Sequence, residues 1–125
     1  MKQFDVVVQN KLGALAEVCD VLARNAINIK AIATEVRNGS GVVKLITEDH
    51  QTTKDTLKRS GFRFDEAEIF SVRLPDRPGE LAKAAKLLTR ARVNIESVFL
   101  LGSDGEFKDI AFKVSDMGKA REVLK

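Results

Sequence analysis

The side chains best suited to chemistry in this chain are two asparagines and their counterparts. Asn10 and Asn28 flank one helical stretch, and Asp76 and Asn94 flank another with the same spacing. An asparagine amide offers both an acceptor and donors, so a pair can meet the ammonium and the carboxylate of one zwitterion. A bend follows each first partner: Asn10-Lys11-Leu12-Gly13-Ala14-Leu15 in one case, Asp76-Arg77-Pro78-Gly79-Glu80-Leu81 in the other. Free backbone N–H groups at Gly13 and Ala14, or at Gly79 and Glu80, open a helix and can hold an α-carboxylate. A plainer reading competes. Asn10 and Asp76 also suit a helix N-cap, Pro78 the first helical turn, and Asn28 and Asn94 the turn into a strand. Both readings stay open on sequence. Asp76 accepts but cannot donate when ionised, so the two copies differ in what they offer.

The elements that must position these residues are written twice. Shifting Asn10–Ile32 by 66 positions lays Gly13 on Gly79, Leu15 on Leu81, Leu22 on Leu88, Asn28 on Asn94 and Ile29 on Ile95. Matched leucines follow from any two amphipathic helices; a glycine and an asparagine kept at the two ends of the helix do not. In copy one, Phe4, Val6 and Val8 alternate as a strand. A helix follows with Leu15, Val18, Cys19, Leu22 and Ala26 expected inward, then a strand from Ile29 to Val36. Asn38-Gly39 signals a hairpin that Ser40-Gly41 extends, with a return strand from Val42. A second helix is expected from Thr52 or Thr53 to Gly61, and a fourth strand over Phe62–Glu68.

Copy two starts without a linker, and its third strand aligns after a one-residue slip. Its main helix is expected to turn Leu81, Ala84, Ala85, Leu88 and Ala91 inward, and Phe107 and Phe112 read as turn and core residues. The sequence ends before a fourth strand. This predicts an α+β fold of two tandem ferredoxin-like repeats, βαββαβ, with antiparallel sheets, the second lacking its last strand. The expected domains are 1–68 and 69–125. A bare strand edge invites pairing, so a second chain or copy one is expected to cover it.

Composition narrows the function. The chain has 125 residues, 44% hydrophobic and 31% charged, which is globular composition. Its net charge of +3 is spread among acids rather than gathered in a block, so no nucleic-acid partner is expected. Cys19 is the only cysteine, which leaves no disulfide framework and no metal spacing. No cofactor is expected. No signal peptide or spanning apolar run appears, so the expected location is the cytoplasm, without a membrane partner. His50 reads as a solvated loop residue. No nucleophile is placed with a histidine base, and no phosphate-binding glycine loop is present, so no enzyme is expected.

The bend, the helix and the following Asn28-Ile29 or Asn94-Ile95 resemble the ACT domain, a small regulatory module that binds amino acids. The resemblance covers essentially the whole chain and is greatest to short stand-alone tandem ACT proteins of prokaryotes. Copy one departs from the pattern in having Leu12 where proline is usual. The resemblance implies an amino-acid sensor with its ligand at a module or subunit interface, held by the bend of one module and the second strand of a neighbour. In ACT domains that bind serine, asparagines stand at the places of Asn10 and Asn28. Residues 10–15, Asn28 and Ile29, with 76–80, Asn94 and Ile95, are the implied contacts. A homodimer is expected, with a metabolic enzyme as a further partner. The alternative is a pairing module that docks on such an enzyme without binding a ligand.

Overall fold

Alternation at Phe4 and Val6, and again at Phe70 and Val72, starts two equivalent halves. The computed structural model describes residues 1–124. Its elements run β1 (Lys2–Gln9), α1 (Ala14–Arg24), β2 (Ile29–Arg37), β3 (Ser40–Thr47), α2 (His50–Arg59), β4 (Arg63–Glu68), β5 (Phe70–Pro75), α3 (Glu80–Arg90), β6 (Ile95–Ser103), β7 (Phe107–Val114) and α4 (Met117–Val123). They divide into two compact units, the first Met1–Ala67 and the second beginning at Glu68.

The first unit carries a four-stranded sheet in the order β2-β3-β1-β4. β3 pairs antiparallel with both neighbours, and Phe4 faces Leu45 while Val6 faces Val43 across the ladder. Those four pack with Val18 and Leu22 of α1 and Leu57 of α2. Full burial of a side chain such as Leu22 stabilises the fold by about 1.5–3 kcal/mol. β4 adds Phe64, whose ring meets Phe4 edge-on at 5.8 Å.

The second unit carries three strands in the order β5-β7-β6. Phe70 faces Phe112 and Val72 faces Ile110, the same rungs as in the first sheet. Among the described residues, β7 is the one hydrogen-bonded neighbour of β5. Asp76 N–H donates to Glu106 O at 2.7 Å, so by alternation the nitrogen of Pro75 faces away from β7. Its missing N–H therefore costs this ladder nothing.

Several local expectations are corrected. α1 and α3 begin after Gly13 and Gly79, which have φ of 85° and 88° and stand at the N-caps. Ala14 N–H returns to Lys11 O at 3.3 Å and Glu80 N–H to Arg77 O at 3.4 Å, closing a four-residue turn in each copy. A left-handed third residue is what a type II turn requires, and Pro78 fits its second position. Pro78 therefore precedes the helix, and Asp76 is not its cap. The Ala14 and Glu80 N–H groups are engaged by the turn.

Leu15 and Leu81 are 43% and 44% exposed rather than inward. Ala14, Val18, Val21 and Leu22 are the buried residues of α1, while Cys19 is half-buried. Ala26 is exposed because it takes φ of 55° just past the helix end, where Ile27 N–H returns to Leu22 O. β3 begins at Ser40, leaving Asn38 and Gly39 as a two-residue turn with φ of 52° and 81°. α2 opens at His50, because the Asp49 carboxylate accepts from Thr52 N–H at 3.0 Å. Phe107 is neither turn nor core. It lies on β7, 37% exposed, with the Arg73 guanidinium 5.4 Å above its ring.

Candidate ligand site at the first bend

The bend after β1 overhangs a hollow of about 320 Å³. β1 contributes Val8 and Gln9, the bend Asn10 and Lys11, and the start of α1 Ala14 and Leu15. Thr34, Glu35 and Val36 of β2 and Gly41, Val42 and Val43 of β3 complete the lining. The hollow mixes an apolar floor with an amide, an ammonium, a hydroxyl and a carboxylate, a combination suited to a small polar ligand. Among the described residues Lys11 has no ion pair, whereas Glu35 pairs with Arg37 and lies 3.7 Å from Lys44 Nζ.

Gly41 lets β3 approach the Val8 side chain closely. A Cβ at that position would stand 2.9 Å from Val8 Cγ2. A glycine inside a strand marks a close approach. Sequence reasoning had assigned it to the loop because Asn38-Gly39-Ser40-Gly41 reads as one turn cluster. Thr34 and Glu35 were missed as well; β2 carries no motif, and their position is fixed only by the β2–β3 register.

The expected contacts divide into groups. Asn10, Lys11, Ala14 and Leu15 come together at the hollow. Leu12 is 100% exposed, and Gly13 supplies the backbone turn. Asn28 lies at the other end of α1, about 16 Å away along eleven residues of helix. There its amide donates to Glu48 Oε1 at 3.1 Å and its carbonyl accepts from Glu48 N–H. Asn94 ties the corresponding corner: its N–H donates to Ser115 Oγ at 2.9 Å and its carbonyl accepts from Ser115 N–H. Ile29 and Ile95 pack against the two cores. Within one unit, then, Asn10 and Asn28 do not meet.

At the second bend the charged side chains pair with one another. Asp76 Oδ1 lies 3.1 Å from Lys108 Nζ, and Ser103 Oγ donates to Asp76 Oδ2 at 3.4 Å. Arg77 Nε donates to Glu80 Oε1 at 2.9 Å, and Lys83 Nζ stands 3.7 Å from the same oxygen. The hydrogen bond from Arg77 holds the Glu80 carboxyl below its ordinary value, helped by the nearby positive charges. Glu80 lines a different hollow, of about 420 Å³, with β5, α3 and α4.

A family model described as "ACT domain pair" matches residues 1–125. The chain belongs to the ACT domain pair family. This ACT domain pair is similar in structure to protein BT0572 from Bacteroides thetaiotaomicron, with a TM-score of 0.89 and 29% identity over 98% of this chain and 85% of that one. The ligand-free regulatory subunit of aspartate kinase from Thermus thermophilus has the same fold, with a TM-score of 0.73 and 16% identity over 98% and 87%. The regulatory subunit from Thermus flavus follows at 0.67, again 16% identical, over 98% and 89%. No curated protein matches the chain. No described helix of this ACT domain pair is long and apolar enough to cross a membrane.

Proposed function

We propose that this ACT domain pair is a non-catalytic regulatory protein that binds a free amino acid and changes a protein contact in response. The observation that carries this reading is the hollow beneath the first bend, with Lys11, which has no ion pair among the described residues, the Asn10 amide and the Glu35 carboxylate on its walls. Family membership and the likeness in fold to regulatory subunits support the reading. Because Asn10 and Asn28 sit at opposite ends of α1, one ligand reaches both only if a second chain supplies Asn28. A homodimer is therefore part of the proposal. A ligand of about ten heavy atoms would bind with roughly −5 to −8 kcal/mol, or about 10² to 1 μM, a range suited to a metabolic pool.

The test is thermal stabilisation of the chain against each of the twenty common L-amino acids. One specific stabiliser is expected, and Asn28→Ala should weaken its binding with little loss of stability, because the residue is exposed. A flat panel contradicts the sensor reading. It would favour a second one, a pairing module that docks on a metabolic enzyme. That reading draws on the outer edge of β5, which a strand from another chain could extend.

A further inference from the structure

We propose that amino-acid recognition is confined to the first module's bend, and that the second module's bend, whose charges pair with one another, serves as scaffold. The proposal rests on the sensor reading and asks which copy carries it.

Lys108 stands opposite Leu74 in the β5–β7 ladder, and Gly41 stands opposite Val8 in the β1–β3 ladder. Leu74 and Val8 are repeat equivalents, so a long cation replaces a glycine on that rung. The cation reaches Asp76 at 3.1 Å, where the first module keeps the neutral Asn10. Glu80 replaces Ala14, and its carboxylate is engaged by Arg77 and Lys83. Two anions thus stand where the first module has an amide and a methyl group, and the cations beside them are already paired. An incoming α-carboxylate at the second bend must compete with Asp76 and Glu80 for cations that already pair with them, whereas at the first it meets Lys11, which has no ion pair among the described residues. On the strand wall, Thr34 faces Val43 and Leu100 faces Ile110, so a hydroxyl in the first module becomes a leucine in the second. The first hollow therefore suits a zwitterion, with its carboxylate toward Lys11 and its ammonium toward the Asn10 amide oxygen, the Thr34 hydroxyl and the Glu35 carboxylate, which also pairs with Arg37. At the second bend the charged groups of Asp76, Arg77, Glu80, Lys83 and Lys108 are, among the described residues, all in ion pairs with one another.

Isothermal titration of the full chain with each of the twenty common L-amino acids tests this. The expected result is a single equivalent per chain, a loss of affinity of about tenfold or more in Asn10→Asp, and a change within about twofold in Lys108→Gln. Asn10→Asp alters an exposed side chain, and an unchanged circular-dichroism melt would show that its fold is intact. Two equivalents per chain, or full affinity in Asn10→Asp, overturns the confinement while leaving the sensor reading standing. Absence of binding by all twenty overturns both.

Discussion

The two modules repeat one backbone and differ at one corner. Gly13 and Gly79 adopt the same left-handed geometry, and Leu22 and Leu88 are each fully buried. Ala26 and Arg92 both take positive φ just past their helix ends, at 55° and 59°. The bend in the first module leaves a hollow. In the second module, Asp76, Lys108, Arg77, Glu80 and Lys83 form a set of ion pairs. Duplication preserves what the backbone needs, while the side chains around the turn set the charges each corner presents.

The largest expected effect probes the shared part. Leu22→Ala and Leu88→Ala should each lower stability by about 2–5 kcal/mol in urea unfolding. The greater loss is expected for Leu88→Ala, whose sheet has three strands and less core to close around the cavity. A negligible loss in either would break the equivalence of the helices.

The turn glycines come next. Gly13→Ala and Gly79→Ala meet open space, so steric contact is not the issue; the positive φ costs roughly 1–2 kcal/mol in each. Equal losses in thermal unfolding are expected, and unequal ones would show that Pro78 and Leu12 make the two turns differ.

The smallest effect sharpens the difference. The Glu80 carboxyl is held below its ordinary value of 4.5, first by the Arg77 hydrogen bond. A depressed folded-state value means that the group adds stability above the unfolded value and loses it as pH falls through the folded one. The Tm advantage of the wild type over Glu80→Gln should therefore hold near neutrality, shrink below about pH 4.5 and vanish in stronger acid. A constant difference across that range would contradict the ion-pair account of the second bend.

Much of this was legible in the sequence. Two amphipathic helices, each opened by a glycine bend and closed before Asn-Ile, gave the tandem ferredoxin-like fold, and the missing strand was readable from the alignment. Helix starts were misplaced, because Asp76 and Pro78 look like a cap and a first turn. The type II turn uses Pro78 earlier and frees Asp76 for Lys108, a contact between residues far apart in sequence. Leu15 and Leu81 fit the apolar helical period yet lie at the exposed edge of the face, since periodicity does not say how wide the covered stripe is. The site was legible only in part. Asn10 and Lys11 could be picked out by type. Thr34, Glu35 and Gly41 reach the hollow through strand register, which no local pattern announces.

The most direct measurement of the central claim is an amide-resolved NMR titration of the ¹⁵N-labelled full chain with the amino acid that stabilises it most. The account predicts shifts at the amides of Asn10, Lys11, Gly13 and Gly41, with those of Asp76, Arg77 and Lys108 unmoved. Shifts centred on the second bend, or none at the first, would contradict it.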